Sequence, residues 1–520
     1  MPPGGPEDKV QPEVLSSSPE QGSINVPLET DVTIEFSEFV NCPSVEASLY
    51  LSPEPGRRLR YRWSGRKLTL DYLDPLPEQR TIVVTVGALA KDLQGNTLEN
   101  SFTIAFSTGD HIDRGEISGI AALPEGVRSL TITAYIVTDS IPNPMTDAPD
   151  YRMQTKADGS FQLSYLSPGK YRLFALDDRN LDGLWSPAAE WIGTASQDVR
   201  VDEGLKPYLT FSPTLQDTTP FSILRARQLD KKTISTRFSR DAFPDQLSIA
   251  DQSGAQVIIH SAADTTASAS WLLFIEKQLS GDSAELVIEL GDSSFATKFA
   301  VQSRPDTAHP AIARTIPQNR SRSRFPQDSM SVVFSEPITY KPNSDTLLVQ
   351  LREDTTELTA RVVQTDAVTV TVYPEEPTRA GVNYSLKIPN SFITDRSDNI
   401  WRDSLWTMTW YNYPADSLGT INGLIRTSET GPWLVELYLV RGTEPEQTVF
   451  TTSSFEFSGF PAGDYRLRVI RDVNANQKFD QGQLQPFEFS EPFEWHPDTI
   501  SVRPRWTEEI DFLWTIAAQP

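Results

Sequence analysis

Gly463-Asp-Tyr-Arg-Leu467, followed by Asp472-Val-Asn-Ala-Asn-Gln-Lys-Phe-Asp480, repeats an earlier stretch of the chain: Gly169-Lys-Tyr-Arg-Leu173, then Asp178-Arg-Asn-Leu-Asp-Gly-Leu-Trp185. Both halves of the match lie 294 residues apart (169 to 463 and 178 to 472). A second pair, Thr33-Ile-Glu-Phe-Ser-Glu38 and Ser331-Val-Val-Phe-Ser-Glu336, recurs at a fixed spacing of 298, shared by Pro12 and Pro310. Repeats of this kind mean duplicated modules. The chain reads as A–B–C–A′–B′, with a middle piece that echoes A weakly.

Each repeat carries strand patterning. Asp31–Phe36, Arg66–Tyr72, Arg80–Val86 and Ser101–Phe106 alternate apolar and polar residues, the period of a strand with one buried face. Lys91-Asp-Leu-Gln-Gly-Asn96 between two of them is a turn. Short strands set off by turn signals, without helical periodicity, predict antiparallel sandwiches and an all-β fold. In B and B′ the strands Ser129–Tyr135 and Leu434–Leu439 precede Leu166-Ser-Pro-Gly-Lys-Tyr-Arg-Leu173 and Phe460-Pro-Ala-Gly-Asp-Tyr-Arg-Leu467. There Pro-Gly makes the turn, and Tyr and Leu alternate into the core of the returning strand. Region C opens at Asp217-Thr-Thr-Pro220 and carries strand patterns at Lys232–Ser239 and Ala284–Leu290. A final edge strand is expected within Ile500–Phe512, with Pro504 at its start or outer side.

Composition narrows the function. A chain of 520 residues exceeds what one core supports, and its 39 prolines discourage long helices. A net charge of −24 repels a phosphate backbone, so nucleic acid is not an expected partner. The single cysteine, Cys42, precludes an intramolecular disulfide, and the four histidines show no ligand pairing for zinc. No run of about 18 apolar residues is present to span a bilayer. Residues 1–10 read as a flexible Pro/Gly leader without the apolar segment of a signal peptide.

The residues Pro12, Ser18-Pro19, Gly22, Ile34-Glu-Phe-Ser-Glu38 and Asp92-x-x-Gly95-Asn96 resemble the bacterial Ig-like domain of the SbsA type. The opening Pro-Pro-Gly-Gly-Pro-Glu-Asp-Lys is similar to the segment after the lipidated cysteine of Bacteroidota-type Ig-like surface lipoproteins. In A′ the turn reads Asp395-Arg-Ser-Asp-Asn399, with Asp398 in place of glycine. The order G-x-I-x-G, D-G-S-F, L-x-P-G-x-Y-x-L in B, echoed in B′, is similar to transthyretin-like modules, including carboxypeptidase regulatory-like ones. The resemblance implies a tandem array: leader 1–10, Ig-like 11–110, transthyretin-like 111–213, diverged Ig-like 214–303, Ig-like 304–414 and transthyretin-like 415–520. It also implies an outer-membrane-anchored envelope lipoprotein whose only membrane contact is an N-terminal lipid, with the lipobox cysteine and export signal not present in this sequence. Its partner would be an envelope protein or a glycan.

The Asp/Asn loops carry recognisable chemistry. Asp472, Asn474, Asn476 and Asp480 occupy positions 1, 3, 5 and 9 of a loop, as in the first part of a calcium-binding EF-type loop. Gln483 stands at position 12, where such a loop has a bidentate glutamate. In B, Asp178, Asn180 and Asp182 fill positions 1, 3 and 5, Gly183 position 6, Ser186 position 9 and Ala189 position 12, with Glu190 one residue late. These seven Asp and Asn residues are the candidates for a structural calcium; an Asx-turn that ends a strand is the alternative.

Other constellations read as structure. Ser37 and Ser335 in the Phe-Ser-Glu repeats lack a nucleophile elbow or a histidine base, so they read as strand ends with Phe in the core and the polar pair facing solvent or capping a turn. Glu508-Glu509 and Asp177-Asp178 are chance pairs in an acidic chain unless a cleft opposes them. Trp185, Trp191, Trp401, Trp406 and Trp410 are core or a stacking platform, and Trp406, Met408 and Trp410 share one strand face. Arg320-Ser-Arg-Ser-Arg324 reads as a solvated loop. No catalytic constellation stands out. The expected protein is a non-enzymatic modular rod that spaces, scaffolds or adheres at the outer membrane surface. The alternatives are a carbohydrate- or peptide-binding accessory lipoprotein of a surface uptake or secretion system, and a hydrolase.

Overall fold

The computed structural model describes all residues except 1–8, 53–58, 139–140, 181, 203, 242–244, 265–266, 268, 325, 342–349, 390–391, 403–404, 430 and 517–520. Most of the leader therefore lies outside the described residues. The rest is almost entirely strand, as the alternating sequence requires.

In A, Val32–Phe36 sits between Val14–Ser18 and Lys67–Tyr72, and Leu59–Ser64 closes that sheet. The facing sheet is Leu49–Ser52, Thr81–Val86 and Phe102–Ser107. Val32, Ile34 and Phe36 point inward and are fully buried, while Thr33 and Glu35 between them stay partly exposed. Within A one element departs from the strand-only expectation: Cys42–Ala47 is a short helix. Asn41 caps it by accepting the Ser44 amide, and Pro43 is its second residue, in the first turn where a missing N–H costs nothing. A′ repeats the sandwich around Met330, Val332 and Phe334.

C is a sandwich of two four-stranded sheets, one centred on Thr233–Phe238 and Ser270–Ile275, the other on Gln246–Asp251 and Ser283–Leu290. B and B′ are built alike. In each, the first strand (Gly115–Ala121 or Leu418–Arg426) pairs antiparallel with one neighbour and parallel with a late strand, Tyr208–Phe211 or Thr507–Leu513. Thr507–Leu513 is the expected edge strand, and Pro504 lies in the turn before it.

Strand Gly169–Leu176 of B decides more than its own module. Tyr171, Leu173 and Ala175 face the sandwich core with Ile117, Phe161 and Phe211. Phe174 and Leu176 face the other way and form a second buried cluster with Tyr135, Trp185 and Ile192. A hairpin of B′, Gln483–Leu484 paired with Phe487–Glu488, covers that cluster, with Leu484 and Phe487 packed on it. The extended rod is thus corrected: the second module docks on the fifth. Two-faced burial of a central strand is the reason, since the outer aromatic face needs a cover.

Candidate metal centre

The strands Gly169–Leu176 and Gly463–Arg471 both run out into an Asp/Asn loop, and the two loops share one hydrogen-bond scaffold. In B′, Asp472 accepts the Asn476 amide at 3.1 Å and the Gln477 amide at 2.9 Å. In B, Asp178 accepts the Asp182 amide at 3.1 Å and the Gly183 amide at 3.0 Å. Asn474 Oδ1 and Asn180 Oδ1 accept the same amides, of Asn476 and Asp182, at 3.0 and 3.1 Å. The sixth residue turns left-handed in both, Gly183 at φ +74° and Gln477 at φ +62°. Glycine accepts that conformation without cost, whereas Gln477 holds it against its side chain.

A glutamate outside the EF spacing braces each loop. Glu491 returns to the B′ loop and accepts the Val473 amide at 2.7 Å and the Asp480 amide at 3.1 Å. In B, Glu190 accepts the Arg179 and Ser186 amides at 3.1 and 2.9 Å. Sequence spacing missed Glu491 because ten residues, the docking hairpin among them, separate it from Asp480. The signal was present in B, where Glu190 stands one residue past the EF position.

Charge is concentrated here. Asp472 is fully buried and Glu491 is 4% exposed. Burial pushes the Glu491 carboxyl up to about 7; the Asp480 and Val473 amides oppose this, and the Asp480 and Asp472 charges add to it. Burial also raises Asp178, helped by Asp182 and Glu190 and opposed by the Gly183 amide and by Arg152. Arg152 thus brings a positive charge beside the B loop. In B′, Asp480 Oδ2 accepts the side-chain amides of Asn474 and Asn476 at 2.7 and 2.9 Å. The acceptors are carboxylate and amide oxygens, the hard type that calcium takes, but among the described residues neither loop brings three carboxylates together as closely as the grouping below.

A second acidic grouping lies at the C–A′ junction. Carboxylate oxygens of Asp306, Glu336 and Asp395 lie within 4.8 Å of one another. Asp395 is buried and holds the turn by accepting the Ser397 and Asn399 amides at 2.7 and 2.8 Å. Asp92 does the same in A with the Gln94 and Asn96 amides. Asp398 takes the left-handed φ of +64° where A has Gly95 at +96°. Burial, with Asp306, Asp395 and Asp230 nearby, pushes Glu336 up to about 7. Phe334 of the Phe-Ser-Glu repeat is core, as expected, but Glu336 does not simply face solvent. Ser37 and Ser335 accept the amides of Glu13 and Ala311, tying down the first strand of each sandwich.

The remaining singled-out residues are placed as follows. Trp185, Trp401 and Trp410 are buried, and Trp410 stacks on Tyr384, so these three form no open platform. Met408 and Trp410 share the A′ core, with Trp406 packed against it. The Arg320–Arg324 stretch is not a solvated loop. Ser321–Ser323 pairs in parallel with Leu405–Asn412, and Arg324 stacks 3.9 Å from the Phe460 ring centroid while donating to the Glu446 carbonyl. Arginine does both at once because its guanidinium is planar and weakly hydrated.

A family model described as bacterial Ig-like domain matches residues 8–108 and 306–409. No curated protein matches the chain. Among solved structures, the chain is similar to BcpA, the major pilin subunit of Bacillus cereus (9% identity, 78% of this chain and 100% of that one, TM-score 0.16). It is also similar to the S-layer protein rSbsC(31-844) (11% identity, 89% and 64%, TM-score 0.15) and to E. coli alpha-2-macroglobulin (10% identity, 94% and 34%, TM-score 0.16). Modules A and A′ match the bacterial Ig-like domain model, and the chain as a whole is a tandem β-sandwich array.

Proposed function

We propose that the chain is a non-enzymatic cell-envelope protein that spaces, scaffolds or adheres at the outer membrane surface. The observation that carries this reading is the interlocking of modules by dedicated side chains. Arg324 ties A′ to B′, Lys232 Nζ reaches the Arg396 carbonyl between C and A′, and the Gln483–Glu488 hairpin ties B′ to B. Such junctions fix module geometry, which a scaffold needs. The match to bacterial Ig-like domains supports the location. The test is protease accessibility on intact cells of the source: degradation of the folded chain without lysis supports a surface scaffold, and recovery only in the cytosolic fraction overturns it.

The Asp472 and Asp178 loops serve this role as structural calcium sites, with Glu491 and Glu190 completing the oxygen set. The shared scaffold and the buried Asp472–Glu491 pair support that reading. A second reading, binding of a glycan or an extended peptide, is favoured by the groove between A and B. It measures about 1070 Å³ and is lined by Thr85, Thr103, Gln154, Gln162 and Tyr208 among others, groups that hydrogen-bond hydroxyls and amides. Glycan-array binding that Gln154→Ala and Tyr208→Ala abolish would favour it over the scaffold.

A further inference from the structure

The contact between B and B′ joins two different surfaces. One is the outer face of the B sheet, where Phe174, Trp185 and Ile192 are buried. The other is the 481–490 segment of B′. Side chains of B, together with Gln216 just past the Thr214–Leu215 strand that completes the B sheet, read that segment's backbone. Gln216 donates to the Gly482 carbonyl at 3.3 Å and accepts the Leu484 amide at 3.0 Å. Thr194 Oγ1 accepts the Ser490 amide at 3.0 Å, and Thr210 Oγ1 accepts the Phe493 amide at 3.3 Å. The guanidinium of Arg172 covers the Phe487 ring at 4.2 Å and the Phe489 ring at 5.2 Å.

The segment projects from B′ as a unit. Its neck is closed by the Glu491 amide donating to the Asp480 carbonyl at 2.8 Å. The B′ core lies elsewhere, around Trp433, Leu467 and Phe457. The paired strands of the hairpin lie outside that core, while Phe493, whose amide Thr210 accepts, belongs to a smaller B′ cluster with Leu434 and Ile470. Between the partners in sequence stand the whole of C and A′, so the covalent path holds them together only through two intervening modules and their junctions.

We propose that this clasp is also the assembly contact of the protein: the B face accepts the 481–490 hairpin of a second copy. The contacts are identical within one chain and between two, so only effective concentration separates the closed chain from the exchanged pair. Because the two surfaces differ, exchange links head to tail. Two copies close reciprocally, and more copies extend a row.

Complementary variants test this on the full chain. Phe487→Asp spoils the hairpin and keeps the B face; Thr194→Arg, against Gly482 and Ser490, spoils the B face and keeps the hairpin. Each alone is expected to be a folded monomer with a larger maximum dimension in solution scattering than the wild type. Their equimolar mixture is expected to give a species of twice the 58.1 kDa chain mass by light scattering. Gln216→Arg replaces Thr194→Arg if the latter lowers the melting temperature of B. A mixture that stays at the single-chain mass while both variants are expanded overturns the exchange. Variants as compact as the wild type overturn the clasp itself.

Discussion

Arg172 and Phe487, 315 residues apart in sequence, meet across the B–B′ contact with the guanidinium carbon 4.2 Å from the ring centroid. The same guanidinium donates from Nε and Nη2 to the two oxygens of Asp198 at 2.7 and 2.9 Å. The aromatic ring caps an ion pair that the module already holds in place, so cation and ring meet with little further ordering.

Removing that cation costs Asp198 its bidentate partner and leaves only Lys170, whose half-exposed Nζ lies 3.3 Å away. Asp198 has a side chain only 9% exposed. Arg172→Ala is expected to destabilise module B by about 3 kcal/mol, whereas the double change Arg172→Met with Asp198→Asn costs about 1 kcal/mol or less. Denaturant unfolding followed by tryptophan fluorescence checks the difference. Equal losses in the two variants would contradict it.

Gly482 is held at φ +74°, and a Cβ there would stand 2.0 Å from Thr194 Oγ1. Gly482→Ala is expected to lift the hairpin while leaving both module cores folded. Limited proteolysis should then cut between residues 481 and 489 faster than in the wild type, with an unchanged circular dichroism spectrum. An unchanged cleavage rate would show that the close approach relaxes without undocking.

Glu336 sets a pH dependence at the C–A′ junction. Its folded pKa, about 7, lies above the ordinary carboxyl value of 4.5. Between these values the native state holds a proton that the unfolded chain releases, so stability falls as pH rises through that window. The contribution is fully present below the ordinary value and lost above about 7. The wild-type melting temperature is expected to drop from mildly acidic to mildly alkaline pH, and Glu336→Gln to flatten part of that drop. Glu491 shifts in the same direction, so the comparison must be wild type against the single variant. Parallel pH profiles for the two would rule out Glu336 as the source.

Calcium is expected to raise the melting temperature by linkage, since the loops exist only in the folded chain. Asp472→Ala should remove most of the rise and Asp178→Ala a smaller part, because Arg152 already supplies positive charge beside the B loop. Glu491→Gln should weaken the effect without removing it. No shift at millimolar calcium would leave both loops as Asx-turns.

Local information settled the strands. Val32–Phe36 and Met330–Phe334 alternate because each side chain is either inside or outside its own sandwich, a choice made within a few residues. The duplicated loops were legible for the same reason: Asp472 and Asp178 bind amides four and five residues on. The helix at Cys42–Ala47 was not, since six residues carry too little periodicity to stand out, although Asn41 and Pro43 marked its start.

What only the tertiary structure decided involves residues far apart in sequence. Glu491 reaches the Asp472 loop only after the docking hairpin has been traversed, and Asp306, Glu336 and Asp395, far apart along A′, meet only in its folded sandwich. Sequence did carry one unread hint of the clasp. Tyr171-Arg-Leu-Phe-Ala-Leu176 is apolar on both faces of a strand apart from Arg172, which a sandwich with one wet side does not require. It announced that the outer face of B would be covered. That the cover comes from the fifth module follows from shape and hydrogen-bond complementarity between surfaces, which no local pattern records.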